Sequence, residues 1–443
     1  MLHALVYLAL IPPWQAPDEP SSFEILLTME TRNRFVSSND AVPEIQREIV
    51  ESMERNRFWD FGGYGSRLKP DQTRNFRNVW YYNSSQLKGP RIYHLLLLPL
   101  AKLTTRWSIE ARLRLMRFMT ILIAAVLVAV IVQIACELIE IHPAIPWILP
   151  AFVCLSPQFA YMSATFNSDI LAALIGILIF WRLLRVLRYG LTARLLVELV
   201  LLVVLGFGTK RTTLLVLPGL ILGLVWQFKV MGQTLSRRRA LNLKLGASAL
   251  AVALLIIAFL PALRASASNL VLQYVFKGSP IQQLTVIQQV SEQHLTIGAW
   301  LLRGVKFMSV TFWGSFGWHE VHIPRVLAYL LMLLLNICWG SALIWLLGSS
   351  LAKNPWVIRL VWVALVQVFL TILVLLISCP PDFPPQGRYL FPSLAPMCLL
   401  TTLGICAWLP RQYTSRCACI IVCALLALDL YAIFGVVAPA YLR

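Results

Sequence analysis

Charge is what this chain has least of. Only 13% of its 443 residues are Asp, Glu, Lys or Arg, and just 20 of them are acidic. A soluble domain carries about twice that share of charge, so a soluble globular protein is excluded. Alternating polar and apolar residues are lacking too. The apolar runs are continuous, which excludes a transmembrane β-barrel. The nine cysteines form no disulfide pattern. Cys136, Cys154, Cys338, Cys398 and Cys406 lie inside apolar runs, where cysteine acts as a small apolar residue. Cys417, Cys419 and Cys423 have a loosely metal-like spacing, but they open the last apolar run, and packing accounts for them. No nucleic-acid motif accompanies the net charge of +18. Positive-inside loops and anionic headgroups explain that charge more simply, so no nucleic-acid partner is expected. A basic n-region and a small-residue cleavage site are both missing before Pro12. The opening run, of about eleven apolar residues, is too short for a full crossing, so either the first helix is short or the true start lies upstream.

What is present is apolar: 58% of residues are hydrophobic and the mean hydropathy is +0.72. Runs near the ~20 residues that cross a bilayer recur throughout. The spacing predicts spans at 118–137, 144–160, 168–187, 193–208, 211–228, 245–263, 326–347, 357–378, 389–409 and 416–437. With the short first helix this makes an all-α polytopic membrane protein of about eleven transmembrane helices. Helical spacing of Phe23, Leu26, Leu27 and Glu30 predicts an amphipathic helix over 20–32, and another helix is expected over 42–56. Arg106, Arg112, Arg114 and Arg117, set among apolar residues, suit an interfacial helix with its arginines toward headgroups.

The short segments 182–194 and 229–244 are strongly basic and fall on one side by alternation, with 348–358 and 410–416. The positive-inside rule makes that side cytoplasmic. Residues 14–117 then form a first outer loop with interfacial helices, and 264–325 a second large outer loop, within a single transmembrane domain of 1–443.

That topology gathers the unusual polar residues on the outer face. Asp18 and Glu19 follow the first apolar run, bracketed by Pro17 and Pro20, which favour a turn over a continuing helix. Two carboxylates on a stiff turn suit general-base work or metal binding; an acidic helix exit is the plainer alternative. Asn167 and Asp169 lie between two apolar runs, where helix capping is the common role. Lys210 and Arg211 form a basic pair in a tight loop. Asp382, Arg388 and Tyr389 belong to a proline-rich entry into a later span. Acids and bases at one membrane face suggest a site for a phosphate-bearing substrate, with Lys or Arg on the phosphate and a carboxylate activating a nucleophile. Each basic residue could equally contact a headgroup. His319, Glu320 and His322 could hold a metal, but the spacing differs from a helical zinc motif, and a polar loop tip is favoured. Asp429, inside the last run, needs a partner.

Four stretches together resemble the GT-C superfamily of membrane glycosyltransferases: Pro17-Asp18-Glu19-Pro20, the Asn167/Asp169 turn, Phe312-Trp-Gly-Ser-Phe-Gly-Trp318, and Gln386-Gly-Arg-Tyr389 with Pro392. Within it the chain is similar to a bacterial branch known as predicted membrane proteins of unknown function. The resemblance implies a GT-C-like bundle in the plasma (inner) membrane, with its active site on the extracytoplasmic face. It also implies transfer of a sugar from a polyprenyl-phosphate-type carrier to a glycan, lipid or protein acceptor, with inversion. Asp18 would be the base, Glu19 would assist or orient it, and Lys210, Arg211 and Arg388 would meet the lipid phosphate. Some members use a divalent metal and others do not, so a cofactor stays open. The rival from another class is a lipid or glycolipid transporter or flippase, which predicts ionisable residues at mid-membrane and related halves.

Overall fold

The computed structural model describes residues 2–36, 40–61, 91–234, 296–348, 354–379, 384–409 and 411–442. Among them the chain is almost wholly helical, and the strands are the two-residue pair Ser315–Phe316 and Val321–His322. Among the described residues, seven helices are long and apolar enough to cross a bilayer: Ile109–Glu137, Asp169–Tyr189, Arg211–Gly232, Arg325–Leu346, Pro355–Ser378, Gly387–Trp408 and Thr414–Tyr441. An all-α polytopic membrane protein follows, because helices satisfy every backbone group internally where no water can.

Four of the expected crossings are not among these seven. The predicted span 144–160 is two helices, Ile145–Cys154 and Pro157–Ser163, bent by 58°. Pro157 supplies no N–H to continue the first helix, so the chain turns there and restarts. Counting that pair makes eight. The first helix, Leu2–Leu10, has 9 residues and Ala193–Thr209 has 17. The predicted span 245–263, the basic cluster at 237–244, the aromatic cluster at 80–82 and Asp382 lie outside the described residues.

One polar segment departs from expectation. Arg112 and Arg117 do not face headgroups. They belong to the continuous helix Ile109–Glu137 and pair with Glu30 and Glu19 of the helix Glu19–Arg32. Those two carboxylates lie on the face that the arginines meet, and a paired arginine tolerates burial that a lone one does not. Within 264–325, Ile297–Trp313 forms a 17-residue helix with Thr296 capping its start: the Ala299 amide donates to Thr296 Oγ1 at 3.2 Å.

The main apolar core runs through the bundle. Phe23, Leu26 and Leu27 of the Glu19–Arg32 helix enter it, as do Tyr7, Tyr161, Phe166 and Phe316. Asp429 is fully buried in the last helix, and the first helix supplies its partners: His3 Nδ1 at 2.6 Å and the Tyr7 hydroxyl at 3.3 Å.

Candidate functional site

The turn before the Glu19–Arg32 helix sets two neighbouring carboxylates in opposite environments. Trp14 and Asp18 have left-handed backbones, φ 72° and 64°. Asp18 precedes the first helical residue, and Pro20 occupies the first turn, where a missing N–H costs nothing. Glu19 is sealed, with 0% exposure. Its Oε1 accepts from Arg117 Nε at 2.8 Å and from the Phe166 amide at 3.0 Å. Its Oε2 accepts from Arg117 Nη2 at 2.6 Å and from the Trp14 amide at 3.0 Å. Arg117 also donates to the carbonyls of Ile11 and Pro12, so one guanidinium ties Glu19 to the end of the first apolar run. This is a bidentate ion pair with its remaining valences met, the geometry in which a buried pair holds.

Asp18 points the other way and its side chain remains 37% exposed. Arg388 Nη2 donates to Asp18 Oδ2 at 2.5 Å, across 370 residues of sequence. Arg388 is only 3% exposed; its Nε donates to Gln386 Oε1 at 2.6 Å, and its Nη1 lies 3.5 Å from Asp169 Oδ2. Lys210 Nζ donates to Asp169 Oδ1 at 2.5 Å. Asn167 accepts the Asp169 amide on its side-chain oxygen at 2.8 Å, an Asx turn that starts the Asp169–Tyr189 helix. The Tyr389 ring has Lys210 Nζ and the Arg388 guanidinium each 5.6 Å from its centroid. Arg211 opens the 3-10 helix Arg211–Val216 beside Lys210 and is half-buried; the ion pairs joining the segments run through Lys210 and Arg388. Asp18, Asn167, Asp169, Lys210, Arg388 and Tyr389 are thus brought to one place, and Glu19 lies behind it with Arg117.

Two further motifs hold this arrangement. A β-carbon at Gly387 would fall 2.2 Å from the Phe312 backbone nitrogen, so only glycine lets the segment carrying Arg388 approach. The Gly387 amide then donates to Thr311 Oγ1 at 2.7 Å. The hairpin that follows is tied to the acidic turn: Trp318 Nε1 donates to the Trp14 carbonyl at 3.1 Å, and the Gly317 amide donates to the Tyr161 hydroxyl at 3.1 Å. His319, also left-handed at φ 69°, sits 3.0 Å from Ser315 Oγ through Nδ1. Desolvation and the nearby Arg388 cation push its imidazole down to about 4, with Asp18 opposing.

A cavity of about 570 Å³ has His319 in its lining. Arg303, Lys306 and Arg325 line it, with Thr311, Ser315 and His322, and Phe307 and Tyr329 supply aromatic walls. Arg303, Lys306 and Arg325 make no ion pair among the described residues. The sequence held a signal for the first two: 299, 302, 303, 306, 307 and 310 follow helical spacing and form the cavity face of Ile297–Trp313. Among the described residues no three His, Cys, Asp or Glu side chains gather to hold a metal, His319 and His322 included.

Fold and site together define a polytopic helical membrane protein with a partly buried acid–base cluster at one end of its bundle. Residues 1–397 match the family described as Predicted membrane protein (DUF2142), and the chain belongs to that family. No curated protein and no solved structure matches it.

Proposed function

We propose that the chain is an integral membrane glycosyltransferase that moves a sugar from a polyprenyl-phosphate-type carrier to an acceptor hydroxyl on the extracytoplasmic face. One observation carries this reading. Of the acids at the site, Glu19 and Asp169 are 0% and 2% exposed, whereas Asp18 keeps a 37% exposed carboxylate on a strained left-handed turn. Strain of this kind persists where the surroundings over-determine it, and it clusters at working sites. Asp18 takes the acceptor's proton. The acceptor oxygen then bonds to the anomeric carbon, and the bond from that carbon to the carrier phosphate breaks, with the electron pair leaving on the phosphate. Arg388 orients Asp18, while Glu19 and Arg117 hold the turn in place. Lys210, Arg388 and Tyr389 support the cluster, in which two cations already face two carboxylates. The charge for the carrier phosphate therefore falls mainly to Arg303, Lys306 and Arg325 in the neighbouring cavity, whose apolar walls suit the start of a lipid tail.

The test is Asp18→Asn in purified, reconstituted protein supplied with polyprenyl-linked sugar. Asparagine keeps the size of the side chain but cannot accept the proton. Transfer is expected to fall about 10²–10⁴-fold, in turnover rather than in donor affinity. Glycan mass spectrometry of cells with and without the protein identifies the product. Transfer at the normal rate by Asp18→Asn overturns the reading.

A further inference from the structure

The Asp169–Tyr189 helix has 21 residues, so it carries the chain about 30 Å away from the Asp18 cluster. At its far end lies a second cavity, of about 480 Å³, lined by Arg182, Arg185, Tyr189, Arg194, Leu195 and Glu198. Its charge is unbalanced. Glu198 is shared by two guanidiniums, with Arg182 Nε at 2.5 Å and Arg194 Nε at 2.8 Å. Arg185 is held separately by Glu137 at 2.6 Å. Arg182 Nη1 is covered and has no acceptor among the described residues. A covered donor without an acceptor leaves part of the guanidinium's hydrogen bonding unmet, which is costly in a low-dielectric setting.

The helix that carries Arg194 and Glu198, Ala193–Thr209, shows where the missing anion comes from. Arg194 is 88% exposed, and Val197, Leu201, Val204 and Leu205 follow it in an exposed apolar stripe at helical spacing. A soluble anion has no use for such a stripe. A phospholipid does, because its phosphate can reach the arginines while its acyl chains run along those side chains. We propose that this cavity binds the phosphate of an acidic phospholipid headgroup, held between Arg182 and Arg194 in competition with Glu198. Basic pockets between helices at a membrane interface suit this ligand. The site does not depend on the glycosyltransferase reading, and it stands whether or not Asp18 is a base.

The test uses the full chain in detergent, with native mass spectrometry of bound phosphatidylglycerol and phosphatidylcholine. The wild type is expected to retain phosphatidylglycerol in preference. Arg182→Gln and Arg194→Gln should each weaken that retention about fivefold. Glu198→Gln should strengthen it, because the competing carboxylate is gone; a merely structural ion pair predicts the opposite sign. Arg194 is exposed, so its variant remains informative if Arg182→Gln does not fold. Equal retention of the two lipids by the wild type overturns the proposal, as does weaker retention by Glu198→Gln. Displacement of the lipid by inorganic phosphate alone also overturns it, since that marks a site for soluble anions.

Discussion

Glu19→Gln tests whether the two acids of the turn divide their work as their environments imply. The change removes one charge from a fully buried carboxylate that accepts four hydrogen bonds. Arg117, 1% exposed, would keep its bonds to the Ile11 and Pro12 carbonyls but lose its counter-charge. The glutamine amide would also set an N–H₂ group against donors that now meet an oxygen. Breaking one partner of a buried pair costs about 3–5 kcal/mol, chiefly through the charge left behind. Chemical unfolding of the detergent-purified chain should therefore show a large loss of stability. Combining Glu19→Gln with Arg117→Met removes the orphaned cation and should recover part of it. An unfolding midpoint equal to wild type would refute the anchoring role. A stable Glu19→Gln protein that transfers no sugar, beside an active Asp18→Asn protein, would move the base to Glu19.

Two further outcomes follow from the same geometry. His319 has a folded-state pKa of about 4 against an ordinary 6.5, so the folded protein binds its proton less readily than the unfolded chain does. Its contribution to stability is complete above pH 6.5 and is lost as pH falls toward 4, and melting curves across that window should flatten in His319→Asn. Gly387→Ala forces a β-carbon against the Phe312 backbone, which cannot swing aside as a side chain could. Overpacking of this kind costs about 1–3 kcal/mol. It should also move Arg388 away from Asp18, so a lowered melting temperature with unaltered turnover would argue against that coupling.

Most of the membrane architecture was decided by the sequence alone. The hydrocarbon core demands a nearly fixed length of apolar helix, so predicted spans such as 168–187, 357–378 and 389–409 reappear as Asp169–Tyr189, Pro355–Ser378 and Gly387–Trp408. The spacing of Phe23, Leu26 and Leu27 marked a helix at Glu19–Arg32, but not its burial on every side, where Ser21, Glu24, Ile25, Thr28 and Met29 are buried too; the candidate polar residues stood out because polar groups are rare between apolar runs. Environment was not legible in the same way. Asp18 and Glu19 are adjacent and chemically alike, and only a left-handed backbone at Asp18 with Arg117 behind Glu19 exposes one and seals the other. Arg112 and Arg117 read as headgroup contacts until carboxylates 82 and 98 residues away were placed against them. Arg388 meets Asp18, and Lys210 meets Asp169, through packing of segments far apart in the chain. Spacing along the chain reports the length and face of a helix. Whether a charge on it meets water, lipid or a partner depends on contacts that only the folded bundle creates.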